Sequence, residues 1–280
     1  MPVPTGPVID YQEIQPHIRP ARRDSNYVYG QDEWRFAPDW TLTAGLRHDR
    51  YSDFGGTTNP RLALVWEAAY NITAKLMHGR AFRAPGFSEQ HTINPVSTGN
   101  PDLRPERIKT SEFALAWAPR ADLQLNLSLY RLDARDIVRI VANAAPATGA
   151  TYRNTAQLRG RGGELELQWD PARQLRVTGH LAFQRTTERA TGADAGYAPH
   201  QHHYARIDWR LPDEWLVSGQ VNHVADRKRV AGDARPPVPD YTTLDLTVRR
   251  LASLFGWDLS ASIRNALDAD VRAELARICE

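Results

Sequence analysis

Cysteine is nearly missing from this chain: 280 residues hold one, Cys279, next to the C-terminus. A single thiol excludes a disulfide framework and any cysteine-based zinc set. Long apolar runs are missing as well. None approaches the ~18 residues a membrane-crossing helix needs, which excludes a helical membrane protein. Excess charge of one sign is also lacking, since 35 Lys and Arg face 33 Asp and Glu for a net +2. These charges are interleaved rather than gathered on one stripe, so no nucleic-acid partner is indicated. The opening residues, Met1-Pro-Val-Pro-Thr-Gly-Pro-Val8, lack a basic stretch followed by an apolar one, so no signal peptide is expected in this chain. Mean hydropathy is −0.54, low for a globular core of this size. A transmembrane β-barrel remains open, because its strands alternate lipid-facing and lumen-facing residues and give weak signals.

What is present is a period of two. Residues 1–26 hold five prolines and read as irregular, but from Tyr27 the alternation begins. Leu123, Leu125, Leu127 and Leu129 alternate with Gln124, Asn126, Ser128 and Tyr130. Leu165, Leu167 and Trp169 alternate with Glu164, Glu166 and Gln168, and Leu244, Leu246 and Val248 with Thr243, Asp245 and Thr247. Such alternation predicts strands with one apolar and one polar face. Twelve are expected: 27–36, 41–51, 60–68, 71–81, 107–118, 121–141, 151–169, 173–187, 200–211, 214–226, 241–250 and 257–266.

An aqueous sandwich would alternate in the same way. Connection lengths separate the two. Short links (37–40, 69–70, 119–120, 170–172, 212–213, 251–256) alternate with broad ones (52–59, 82–106, 142–150, 188–199, 227–240). Outer-membrane barrels have short turns at one rim and long loops at the other, whereas Greek-key crossovers would scramble that parity. All eight tryptophans (34, 40, 66, 117, 169, 209, 215 and 257) fall close to short links, as expected of an interfacial aromatic girdle. The fold class expected is all-β, an antiparallel up-and-down transmembrane barrel wall. A soluble or surface β-sheet binding or adhesion module and a passive porin-like barrel are the alternatives.

The broadest link, 82–106, stands out. Pro95, Pro101 and Pro105 with Gly99 and Asn100 argue against a regular helix or central strand there, and so long a connection is usually functional. Its ends read Ala81-Phe-Arg-Ala-Pro-Gly-Phe-Ser-Glu89 and Gly99-Asn-Pro-Asp-Leu-Arg-Pro-Glu106. Both closely resemble TonB-dependent outer-membrane receptors. Tyr152-Arg-Asn-Thr-Ala-Gln-Leu-Arg-Gly-Arg-Gly-Gly-Glu-Leu-Glu166 is similar to a barrel strand of that family, and Ile263-Arg-Asn-Ala-Leu-Asp268 to its penultimate-strand ending. Tyr29-Gly-Gln-Asp-Glu-Trp-Arg35 and Gly45-Leu-Arg-His-Asp-Arg-Tyr-Ser52 resemble two mid-barrel strands.

The resemblance implies a 22-stranded barrel holding an N-terminal plug that carries the TonB-contacting segment. This chain matches about twelve of the strands, with no plug-like region. Residues 27–268 are read as barrel and 269–280 as an atypical tail, helix-prone where a last strand is expected. Truncation at both ends is the expectation, and with it a fragment that neither gates nor transports alone. The resemblance further implies the bacterial outer membrane, lipid and lipopolysaccharide contact, and a parent taking up a ferric siderophore, cobalamin or another chelate through the TonB system. It implies a transporter rather than an enzyme, with no cofactor.

Ligand contact, by the same resemblance, falls to the loops. Arg83, His91, Asn94 and Arg104 are candidates to meet an anionic chelate, while Asn100–Glu106 reads rather as a structural brace between loop and strand. Arg227, Lys228 and Arg229, with Arg235, form a basic loop that could meet an anionic ligand or lipopolysaccharide phosphate, or simply be solvated. His200, His202 and His203 suggest metal, but no carboxylate or cysteine is near in sequence, so no metal site is assigned. Gly160-Arg-Gly-Gly163 is not a phosphate loop, since a strand rather than a helix follows. Glu164 and Glu166 read as lumen-facing wall residues. Asp133 and Asp136 lack a His or Ser partner, and no catalytic residue is assigned.

Overall fold

The computed structural model describes residues 17–94, 96–145, 149–196, 198–250 and 256–271. The expected tail falls largely outside them, as do most of the N-terminal segment and the 251–255 turn. Strands β1 (Ser25–Ala37), β2 (Trp40–Tyr51), β3 (Gly55–Ala69) and β4 (Ile72–Arg83) lead into the long loop. That loop holds helix α1 (Phe87–His91) and strand β5 (Ser97–Thr98). Then follow β6 (Glu106–Arg120), β7 (Leu123–Ala142), β8 (Ala150–Ala172), β9 (Leu175–Glu188), β10 (Pro199–Leu211), β11 (Trp215–Arg227), β12 (Tyr241–Arg250) and β13 (Leu259–Ile263). All lie in one sheet, each long strand antiparallel to its sequence neighbour, with β5 off the path and parallel to β8. This is the up-and-down wall that the alternation predicts.

Because the side-chain period is two, one register propagates one face across every strand. Leu115 opposes Leu127, Leu127 opposes Leu165, and Leu165 opposes Leu181. Leu76, Phe113 and Leu129 make the next row outward from the short turns. No second layer covers this face among the described residues, so Leu76, Leu129 and Ile207 stand 57%, 47% and 51% exposed. Glu166 on the opposite, polar face takes the Asn126 amide at 3.5 Å, and the Glu112 carboxylate accepts from the Ser128 hydroxyl at 3.2 Å. The tryptophans gather at the short-turn rim. Trp40 opposes Trp66 with rings stacked at 5.2 Å, while Trp117 and Trp169 face Ile72 and Leu123 beside their hairpins.

Three expectations are corrected. The link expected over 52–59 is tight, because β3 begins at Gly55 and pairs back onto Tyr51, Arg50 and Asp49. Gly55 takes φ +86°, which closes the turn, and the His48 ring hydrogen-bonds the Thr58 hydroxyl at 2.9 Å. Pro60 sits inside this strand without loss, since pairing with β4 starts only at Arg61. The parity of broad and short links therefore has one exception. The second correction is α1, a helix inside 82–106. It fits between Pro85 and Pro95 because Gly86 donates its N–H to the Glu89 carboxylate at 2.7 Å, satisfying the helix start. The third is β5, a strand in the same loop.

Candidate functional site: the loop rim

Opposite the tryptophan rim, the long connections fold into a cap, and half of the buried residues among those described belong to it. Leu103, Gln90 and Pro85 are essentially buried, with Asp49 just beneath. Gly99 makes the packing possible, since a Cβ there would lie 2.5 Å from the Gln90 carbonyl carbon and the His91 nitrogen. The end of the N-terminal segment closes the cap. His17 O accepts from Ile93 N at 2.8 Å, and Arg19 N donates to His91 O at 2.9 Å.

Arg23 is the hub, and sequence reading did not find it. Its guanidinium donates to Asp53 at 2.6 Å, to Pro85 O at 2.8 Å and to Gln90 Oε1 at 2.9 Å. The Phe87, Phe54 and Tyr51 rings stand 4.9, 5.3 and 5.9 Å from it. An arginine satisfied by both a fork of hydrogen bonds and aromatic faces is a rigid anchor. Burial pushes the Asp53 carboxyl up, and the Arg23 hydrogen bond, a backbone hydrogen bond, the Arg23 charge and Gln90 together more than reverse that, leaving it below its usual range.

The candidates named from sequence are held as follows. Arg83 donates to both Glu106 oxygens (2.7 and 2.6 Å) and both Glu89 oxygens (3.0 Å each), so it ties the loop's exit to α1. Asn94 Oδ1 accepts from Val96 N and Ser97 N, an internal turn. His91 is half-buried with its ring 6.2 Å from Phe87. Arg104 is 66% exposed and reaches Asp136 at 2.7 Å. Its backbone N–H and C=O are both clasped by the Asn154 amide at 2.9 Å, while Asn100 donates to Tyr152 O at 3.0 Å. Asn100–Glu106 is thus a brace against β8.

The basic loop lies on the same rim with its charges paired inside the chain. Lys228 meets Asp226 at 2.5 Å, which holds the ammonium above its usual range. Arg229 donates to Pro236 O at 2.7 Å, and Arg235 meets Asp233 at 2.5 Å. Arg235 holds the Asp233 carboxyl well below the carboxylate range.

The histidines separate by face. His200 and His202 point to the polar face and His203 to the apolar one, following the register. Carboxylates are in fact near His200, contrary to the sequence reading: Asp194 lies 2.7 Å from Nε2 and Asp226 2.9 Å from Nδ1. Asp194 comes from the β9–β10 loop and Asp226 from the end of β11, 26 residues from His200, a pairing that local spacing does not reveal. Among the described residues, no group of three or more His, Cys, Asp or Glu side chains is placed so that it could hold a metal ion. Glu164 stands 3.7 Å from His180, Asp133 pairs with Arg135 at 3.1 Å, and Asp136 with Arg104.

Beneath the cap, the polar face of β1–β4 carries a depression of about 400 Å³ lined in part by Tyr29, Gln31, Arg47, Asn59 and Arg61. A rim cap above a polar, cation-bearing wall suits capture of a large anionic solute.

The family description "TonB dependent receptor-like, beta-barrel" matches residues 3–266. The chain is 25% identical over 264 residues to an iron-regulated outer membrane virulence protein of Vibrio cholerae serotype O1, covering 86% of this chain and 40% of that protein. It is 25% identical over 210 residues to the vitamin B12 transporter BtuB of Vibrio vulnificus, covering 74% and 32%. Among solved structures, a ferric enterobactin receptor of Pseudomonas aeruginosa superposes with TM-score 0.74 at 19% identity, over 88% of this chain and 40% of that one. The siderophore receptor PirA of Acinetobacter baumannii gives TM-score 0.71 at 17% identity, over 88% and 42%. The chain therefore spans between 32% and 42% of the length of these relatives.

Proposed function

The chain belongs to the TonB-dependent receptor-like β-barrel family, and on that premise we propose that it forms part of the barrel wall of an outer-membrane receptor for a ferric siderophore or a similar scarce chelate, cobalamin included. The observation that carries this reading is the division of one sheet into two unlike rims. One is a tryptophan girdle on tight hairpins, and the other a folded cap of long loops over a polar wall. The reading sets the chain in the bacterial outer membrane, with the apolar face against lipid and the cap outside.

Ligand contact is assigned to the cap. Arg83 and Asn94 hold its shape, while His91 and the exposed heads of Arg104 and Lys228 are assigned to the incoming solute, with Arg227 and Arg229 beside them in the basic loop. No chemical step is assigned to any of them. Uptake would draw energy from TonB through a plug that this reading places elsewhere in a parent receptor. The 280 residues alone are then not transport-competent. The test is TonB-dependent uptake of radioactive ferric siderophore in cells lacking their own receptors. The expected result is uptake when the chain completes a plugged barrel and none when it is exported by itself. Uptake by the chain alone would overturn the fragment reading. A monodisperse, detergent-free protein that ignores lipid would favour the soluble binding module instead.

A further inference from the structure

On the apolar face, one strand register past the hydrophobic strip, three arginines stand in line on neighbouring strands. Arg131 of β7 is directly opposite Arg161 of β8, which is directly opposite Arg185 of β9. Adjacent strands are about 4.8 Å apart, so the row is roughly 10 Å wide. Like charges placed directly opposite each other destabilise a strand pair. Elsewhere this chain relieves such crowding with carboxylates: in the next row outward, Asp133 serves Arg135 at 3.1 Å and Arg159 at 4.0 Å. Among the described residues, none of the Arg131, Arg161 and Arg185 side chains has an ion-pair or hydrogen-bond partner, and all three residues are exposed. They border a depression of about 320 Å³ together with Arg159, Gly160 and Thr187.

The surroundings specify what would offset the repulsion. The row immediately towards the tryptophan rim is Phe113, Leu129, Gly163 and Phe183, on the same face. Its large side chains are exposed: Phe113 36%, Leu129 47% and Phe183 49%. A partner must therefore be anionic at one end and apolar at the other, with the join at a fixed height. Guanidinium forks match phosphate oxygens two at a time, and four of them within one patch exceed what a single phosphate needs. We propose that Arg131, Arg161 and Arg185, with Arg159 behind them, bind the doubly phosphorylated headgroup of an outer-leaflet glycolipid whose acyl chains lie on the Leu129–Phe183 strip. The Arg161 segment, Gly160-Arg-Gly-Gly163, is thus a phosphate site on a strand rather than in a loop.

This rests on the reading that the apolar face meets a membrane, so the experiment separates the two. The full chain is reconstituted in lipid, and insertion is read first by flotation. Binding of diphosphoryl lipid A, its dephosphorylated form and phosphatidylglycerol is then measured in detergent by native mass spectrometry. The triple variant Arg131→Gln, Arg161→Gln, Arg185→Gln is compared with Arg35→Gln, Arg173→Gln, Arg210→Gln, which removes equal charge at the other rim. Expected is retention of diphosphoryl lipid A by the wild type and the control triple, and a loss of roughly tenfold or more in the site triple. Equal binding by the site triple, or by dephosphorylated lipid A, would overturn the proposal. Equal binding of phosphatidylglycerol would overturn the doubly phosphorylated partner. Failure to float would overturn the membrane reading itself. Should the site triple misfold, Arg161→Gln alone carries the comparison.

Discussion

Asn154 joins three stretches of chain with one side chain. Its amide nitrogen donates to Arg104 O at 2.9 Å and Asp136 O at 2.6 Å, and its oxygen accepts from Arg104 N at 2.9 Å. Replacing it with alanine leaves three backbone groups without these partners, a loss of about 1–3 kcal/mol felt where the loop returns to the sheet. Asn154→Ala is expected to raise hydrogen exchange across Asn100–Glu106 while leaving exchange in β7 near Leu127 unchanged. Unaltered exchange at Asn100–Glu106 would show that Arg83 and Leu103 hold the brace without it. In the sequence Asn154 is legible only as one letter of a family pattern. Arg23 is less visible still, since Asp53 lies 30 and Gln90 67 residues away. The cations of the rim could be named from sequence, but their carboxylate partners could not, because pairing across loops leaves no local period. Arg83 illustrates this best: Glu89 and Glu106 take every direction in which a ligand carboxylate would approach its fork.

Elements were far more legible than sites, because a strand's faces are written at every second residue. The Leu123–Leu129 alternation fixes both faces of β7 and, through register, those of β6 and β8. Boundaries failed where turn residues continue a ladder, as Gly55 and Gly56 do, and where a helix is too short for periodicity, as α1 is. Turn chemistry gives one element-scale prediction. The β10–β11 hairpin turns through Asp213 and Glu214 with φ of +58° and +61°, both left-handed. That conformation costs an L-residue about 1–2 kcal/mol, and glycine would escape it while giving back about 0.5–1 kcal/mol of chain entropy. Glu214 is exposed, so its side chain gives up no packing. Glu214→Gly is expected to raise the urea midpoint of the micelle-folded chain by a net gain of about 0.5–1 kcal/mol at constant slope. A lower midpoint would mean the glutamate makes a contact that offsets the strain.

For the molecule as a whole, the sheet is one layer thick, and its apolar face finds no protein to cover it among the described residues. A soluble domain of this size would fold a second layer over such a surface. On the proposed membrane reading that cover is lipid, and lipid is far more selective than water about what sits on each face. Leu127 lies mid-strip, flanked by Leu115 and Leu165, while its neighbour Asn126 points to the polar face beside Glu166. An arginine at the midplane of a lipid-facing wall costs about 2–4 kcal/mol, whereas a lumen position tolerates charge. Leu127→Arg is therefore expected to weaken folding into lipid vesicles by about that amount, read as a lower urea midpoint and loss of the heat-shifted gel band. Asn126→Arg, one residue away and next to a carboxylate, is expected to fold as the wild type does. Equal tolerance of the two arginines would mean that both faces meet water, and the barrel reading would fall with it. Unequal tolerance in the reverse sense would turn the sheet inside out and place the Arg131 row in the lumen. The pair of single substitutions thus sets the direction of the wall, on which the cap, the girdle and the arginine row all depend.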